Sequence, residues 1–390
     1  VKTEFDIAII GLGAMGSASL FQGALKKKKV IGFDMFSPPH SYGSTHGGTR
    51  ITRQTYFEGH EYIPILKHSY DLWRKIEKAS GEDILNITGG LMIGDRFNSI
   101  VDKCLQSAKL YNLPYQLFNP VDLKNKFPVL NTGSNYFALL DESAGYLNPE
   151  KGVKSQLDLA KKLGAEIRFN EKVINWEIND NTGLVELFSE TKKYFAQKLI
   201  ITVGPWAVDQ MKQYGIEIKP ERIVQFWMKP KNDIKQFNPS NFPIFIWTVE
   251  KDLDLYGFPA VDNKMDGVKV AFYPHNKHPI RQYTHPDSID REVSEEETLV
   301  MKEYLKRYIP ELNTAPLKTI TCMHVNSPDG HPIISKHPNY AQVLYGVGFS
   351  GHGFKFSNVV GEILTDLAIS GKSKFNMKMF DISRFNKKAL

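Results

Sequence analysis

Cysteine is nearly absent: Cys104 and Cys322 are the only two among 390 residues. That excludes a disulfide framework and a four-cysteine zinc site, and it accords with a reducing compartment. No run of 18 apolar residues occurs, so no membrane span is expected. No charge of one sign dominates. The 49 basic and 43 acidic residues leave +6 and are mostly interspersed, which suits an anionic small substrate or cofactor and does not by itself point to nucleic acid. Several catalytic signatures are missing as well. The glycine run Gly348 to Gly353 is followed by Phe354 rather than lysine, so there is no Walker A. Ser350 is followed two positions later by His352, so there is no G-x-S-x-G. His60-Glu61 lacks a histidine at position 64, and His275 and His278 stand in a proline-rich loop without a nearby carboxylate, where solvated histidines are expected rather than a metal pair. Hydrolase and metalloenzyme readings therefore lack their parts, and no metal is expected.

What is present is an ordinary globular composition, 42% hydrophobic and 24% charged. At about 150 residues per domain the length suggests two to three domains. The amino end is apolar, but Glu4 and Asp6 stand where a leader would be basic, and Gly11, Gly13 and Gly16 interrupt the run. A secretion signal is not expected, and a cytoplasmic location is.

The first motif follows at once. Phe5 to Ile10 reads as a short buried strand and Ser17 to Leu25 as a helix, with Gly11-Leu12-Gly13-Ala14-Met15-Gly16 between them. In this strand, G-x-G-x-x-G, helix unit, Gly11 allows the tight turn, Gly13 lets backbone approach a pyrophosphate, and Gly16 lets helix and strand pack closely. The helix amino end offers free N–H groups and a favourable dipole to phosphate. A second strand, Val30 to Phe33, ends in Asp34, 18 residues past Gly16 and in register for a ribose hydroxyl. Dinucleotide binding is expected. The lysine run Lys26 to Lys29 reads as a solvated helix end.

Farther on, residues 34–53 read as a loop rich in Gly, Pro, Ser and His. Pro64 opens a helix to about Lys78, and residues 151–163 and 358–370 read as helices. Strands are expected over 89–94, 165–169, 173–178, 198–203 and 343–347. Ser294 and Glu297 form a capping box before a helix whose apolar face carries Val300, Tyr304, Leu305 and Tyr308. Strands and helices alternate near both ends, while residues 216–319 are richer in proline and aromatics. This suggests an α/β nucleotide-binding domain assembled from separated segments, with a second domain inserted.

Five segments carry something more specific. They are Pro38-Pro39-His40 with Gly43-Ser44-Thr45-His46-Gly47-Gly48-Thr49-Arg50 and Arg53; Tyr56 with Glu58-Gly59; Tyr256-Gly257-Phe258-Pro259; Cys322 with Ser327-Pro328-Asp329; and Gly348 to Ser357. Together, in this order over nearly the whole chain, they resemble the monomeric sarcosine oxidase and N-methyltryptophan oxidase family, flavoenzymes of the glutathione-reductase-like group. The resemblance implies an α/β fold: a Rossmann-type FAD-binding domain (1–85, 150–215 and 320–390) with an inserted α+β substrate domain on a mixed or antiparallel sheet (86–149 and 216–319). It implies FAD, with Cys322 at the position that bonds the flavin covalently. It places Arg53 and Lys355 on the substrate carboxylate, Arg50 and His46 beside the flavin, and Lys269 where oxygen is reduced. The same resemblance adds Ser44, Thr45, Val173, Gly204, Trp206, Gly348, Gly351, Gly353 and Lys355 to the cofactor contacts of the glycine turn.

The sequence departs from the family pattern at three points. Tyr273 stands where sarcosine oxidase has a histidine, His324 where a tyrosine often follows the cysteine by two, and Gly48 where an aspartate is common. The first two leave the substrate's identity open, and Tyr256, Tyr273 and His324 are the expected pocket residues. The implied reaction is oxidation of an N-methyl or other secondary amino acid to an imine, with oxygen going to hydrogen peroxide, by a monomer that binds neither nucleic acid nor membrane. The alternatives are a flavin dehydrogenase, and an enzyme for a cyclic imino acid or a sugar-modified amino acid. A basic binding protein would rest on Lys26 to Lys29 alone.

Overall fold

The computed structural model describes residues 4–95, 100–190, 192–261 and 267–385. The apolar strands near the chain ends form one sheet. Phe5–Ile10 lies at its centre, parallel to Val30–Asp34 on one side and to Lys193–Ile201 on the other. Glu166–Phe169 extends the sheet beyond Val30–Asp34, and Val343–Val347 pairs in parallel with the end of Lys193–Ile201. Val30–Asp34 and Val343–Val347 are buried at every position, as strands covered on both faces must be. Helix Ala14–Leu25 covers the sheet and packs against helices Ser357–Ser370 and Pro149–Lys162. The crossing with Ser357–Ser370 is close: a Cβ on Gly361 would lie 2.4 Å from the Ala18 carbonyl carbon.

The second sheet has nine strands, and its central run is antiparallel. Lys219–Pro230, Val268–Pro274, Leu253–Phe258 and Ile244–Glu250 follow one another across it. Gly90–Gly94 joins in parallel with Ile244–Glu250, and the long strand Leu312–Asn326 lies along the other side of Lys219–Pro230. The sheet is thus mixed, as expected. Leu312–Asn326 runs unbroken across residues 319–320, where the sequence reading divides the segments, and so carries Cys322 on this second sheet. Helix Glu295–Tyr308 begins with the expected capping box and buries Met301, Leu305 and Tyr308, with Val300 and Tyr304 packed partly against the same core. No helix among the described residues is long and apolar enough to cross a membrane.

Element positions follow the sequence closely. The first helix starts at Ala14, three residues before Ser17, because the glycine turn itself makes the first helical turn. Residues 34–53, expected as loop throughout, end in the short strand Arg50–Thr52, which pairs with Gly145–Leu147.

Candidate active site and cofactor cradle

The glycine turn closes as its sequence requires. Gly11 has φ +87, and a Cβ there would lie 2.6 Å from the Thr202 carbonyl oxygen. A Cβ on Gly16 would lie 1.7 Å from the Gly11 oxygen. Gly13 differs: its Cβ would meet only the Thr45 hydroxyl, at 3.8 Å, so its outer side is open to a ligand. The helix that follows has no side-chain cap, leaving its first N–H groups free for an anion. Asp34 holds the turn by accepting from the Leu12 and Phe36 amides, both at 2.8 Å, with a lone pair to spare on each oxygen.

The other expected cofactor residues gather in three places. Gly204, in a left-handed conformation, and Trp206 follow directly on Thr202 and Val203 behind the turn, and the Trp206 ring lies against Phe36. The Glu171 amide donates to the Asp34 carbonyl, which brings the strand beginning at Val173 beside Asp34. Of the remainder, Ser44, Thr45 and Arg50 lie in the loop leading to the strand Arg50–Thr52, with Cys322 of the second sheet beside them, and Gly348, Gly351, Gly353 and Lys355 lie just before helix Ser357–Ser370. Arg50 donates to the Thr49 and Ser44 carbonyls and stands 3.4 Å from the Cys322 sulfur. Cys322 is a free thiol, 1% exposed. Ser44 Oγ and His46 Nε2 are buried without a hydrogen-bond partner among the described residues. Burial, then the neighbouring Arg50, pushes His46 down to about 4, so its ring is neutral. Gly48, a departure from the family pattern, lies in the same loop. It has φ +78, and its amide and that of Gly47 both donate to the Glu150 carboxylate.

Across from this loop lies the second sheet. Alternate residues of Leu253–Phe258 and Val268–Pro274 face a cavity of about 460 Å³, Phe258 opposite Lys269 and Asp254 opposite Tyr273. Lys269 is not a solvated edge lysine. It is 3% exposed, and its ammonium donates to the Gly47 carbonyl, the Thr49 carbonyl and the Thr49 hydroxyl at 2.9 to 3.2 Å. Burial, with the Arg50 charge, holds its pKa well below the ordinary lysine value, while the three acceptors favour the ammonium. Tyr256 lines the same face, its phenol pushed up by burial.

Arg53 and Lys355 line this cavity too. Arg53 is 2% exposed and lies against the Tyr56 and Phe57 rings at 4.3 and 3.9 Å. One arm of its guanidinium donates to the Thr55 carbonyl, and the other stands 2.6 Å from both oxygens of Glu58. Burial works to raise the Glu58 pKa, but Arg53 outweighs it, and the carboxyl sits below its usual range. Among the described residues Lys355 donates to the His352 carbonyl alone, at 2.7 Å, and burial together with Arg53 pushes it down to about 7.

The two departures from the family pattern meet at Gly351. A Cβ there would come within 2.6 Å of the Tyr273 ring and 2.7 Å of His324 Nδ1. Tyr273 donates to the Ser350 carbonyl at 2.8 Å, and burial pushes its phenol up. Burial and then Arg50 push His324 down to about 3, so it is a neutral ring. Gly348 and Gly351 take left-handed conformations in this loop, and a Cβ on Gly353 would lie 2.4 Å from that of Phe349.

Two features were not read from the sequence. Glu58 belongs to a sequence motif, but its pairing with Arg53 shows only in the fold. His275 was expected as a solvated histidine without a carboxylate, yet its Nε2 stands 2.7 Å from Asp254, and both line the cavity. The two are 21 residues apart, so only the sheet brings them together. Among the described residues no group of three potential metal ligands occurs.

Residues 6–367 match the family described as FAD dependent oxidoreductase. The chain is 37% identical to the monomeric sarcosine oxidase of Streptomyces avermitilis over 385 residues, 98% of either chain. It is 28% identical to the N-methyl-L-tryptophan oxidase of Yersinia pestis, over 98% of this chain and 100% of that one. Among solved structures, L-proline dehydrogenase from P. horikoshii superposes with a TM-score of 0.82 over 99% of both chains at 20% identity, which speaks to the fold alone.

Proposed function

The chain belongs to the FAD dependent oxidoreductase family, and from that premise we propose an oxidase of N-methyl or other secondary amino acids, with a free carboxylate on the substrate and oxygen as electron acceptor. The observation that carries this reading is the pair of buried cations, Arg53 and Lys355, in the one cavity that also holds Lys269. Two desolvated cations suit a small carboxylate, which would share the Arg53 guanidinium with Glu58 or take its place.

The residues present fit FAD. The open side of Gly13 and the uncapped helix take the pyrophosphate, Asp34 a ribose hydroxyl, and the unpartnered Ser44 Oγ and His46 Nε2 can bond the part near Arg50. Cys322 is the residue we assign to covalent attachment, since its thiol lies beside Arg50 and the Ser44 carbonyl, against the loop that carries the unpartnered Ser44 and His46. Bound FAD supplies the acceptor for the two electrons of amine oxidation. The chain supplies the rest. Arg53 and Lys355 fix the carboxylate and so orient the N-alkyl C–H. His324 and His46, both neutral, add no charge of their own to the amine's surroundings. Tyr256 and Tyr273, un-ionised, wall the pocket. Lys269 provides the fixed positive charge near which oxygen is reduced. The imine hydrolyses in water, and an N-methyl substrate yields formaldehyde and a primary amino acid. The name of the Streptomyces relative supports a monomer.

The test is an amine panel with peroxide detection. Peroxide from sarcosine or another N-methyl amino acid, and none from the matching methyl esters, is expected. Turnover that needs an artificial acceptor and yields no peroxide would move the protein to the dehydrogenases.

A further inference from the structure

The cavity lining holds a carboxylate that the reading above does not use. Asp254, on the strand Leu253–Phe258, faces the cavity and is 4% exposed. Its Oδ2 accepts from His275 Nε2, and its Oδ1 has no donor among the described residues. Burial would lower the His275 pKa, but the hydrogen bond and charge of Asp254 outweigh it, so the ring stays a donor to Oδ2 and leaves Oδ1 free. Tyr273, the cross-strand neighbour of Asp254, lies in the field of both Asp254 and Glu58, the partner of Arg53. The cavity lining therefore brings together two buried cations, Tyr273 and a buried carboxylate short of one donor. A buried acceptor left without a donor is costly, and a substrate that brings one is favoured over its isostere that does not.

We propose that Asp254, backed by His275, binds a hydrogen-bond donor on the side chain of the substrate, so that the favoured amines are N-methyl amino acids with a hydroxyl- or ammonium-bearing side chain. This rests on the amine-oxidase reading and names the substrate class within it. Asp254 is a specificity residue here, remote from the amine.

Two pairs of N-methyl amino acids, each differing only in OH against CH3, test it: N-methylhomoserine against N-methylnorvaline, and N-methyl-5-hydroxynorvaline against N-methylnorleucine, with sarcosine alongside. A hydrogen bond to a charged acceptor predicts roughly a ten- to hundredfold higher kcat/KM for the hydroxyl member of at least one pair. Asp254→Leu is expected to bring that ratio close to one, and Asp254→Asn, which keeps an acceptor without its charge, to reduce it at least threefold. A wild-type ratio of one or less in both pairs overturns the proposal. So does a ratio that survives in Asp254→Leu or, should that variant not fold, in Asp254→Asn. If nothing in the panel is oxidised, sarcosine included, the amine-oxidase reading fails on its own. The same pairs are then compared by calorimetric binding, where equal affinities overturn the subsite.

Discussion

Arg53 already holds a carboxylate, that of Glu58, so a substrate must share or displace it. In Glu58→Gln the guanidinium loses its internal anion. Breaking a buried pair by removing one partner costs about 3–5 kcal/mol, and a bound substrate carboxylate restores part of that. The variant is expected to melt below the wild type, yet to gain more in Tm than the wild type on addition of a carboxylate ligand. Equal gains in the two proteins would mean that Glu58 does not compete. Lys355 adds a pH dependence of known sign. Its folded pKa of about 7 lies below the ordinary 10.5, so the empty site loses this cation as pH rises through 7. The inhibition constant of a simple carboxylate without an amine should therefore rise across that interval, with binding above pH 7 taking up a proton. In Lys355→Met the inhibition constant should be flat over the same range. A rise that persists in the variant assigns the titration to another group.

At the scale of elements, the sequence was most legible where structure is local. The capping box of helix Glu295–Tyr308 needs four adjacent residues and was readable from them. Its tertiary load was not: Glu297 also pairs with Arg222, a nearly buried guanidinium on the strand Lys219–Pro230. Two substitutions separate the two roles. Ser294→Ala should cost about 1 kcal/mol, the usual value of a lost cap, whereas Glu297→Gln should cost roughly 3 kcal/mol because it leaves the Arg222 charge with only uncharged acceptors, Gln282 and the Asp290 and Glu292 carbonyls. Urea unfolding of both variants checks the order, and equal losses would show that the pair with Arg222 contributes little. The same contrast explains the site. The glycine turn, a strand and helix away from nothing else, could be read in full. The meeting of Asp254 with His275, or of Tyr273 with Gly351, depends on sheet register and on a loop some 80 residues distant, and no local pattern encodes it.

For the whole molecule, the glycine turn follows a strand of one sheet and Cys322 lies on a strand of the other. A covalent flavin would then join the two through a bond that does not depend on concentration. A ligand held without a covalent bond stabilises by RT ln(1 + [L]/Kd), so its effect on Tm follows its concentration. The wild type is expected to keep its yellow colour with the acid-denatured chain and to melt at a temperature independent of dilution. In Cys322→Ala the colour should pass to the supernatant, and Tm should rise with added FAD. Colour lost from the wild type on acid treatment would remove Cys322 from its assigned role.

Lys269 raises a question of experimental design. Its ammonium is fastened to the carbonyls at Gly47 and Thr49, so one side chain is both the charge in the chamber and the mooring of the loop that carries Arg50. Deleting it slackens that loop at the same moment as it removes the charge. A slower reaction with oxygen in a Lys269→Met protein would thus report two losses at once, and only a replacement that still ties the two carbonyls could tell them apart.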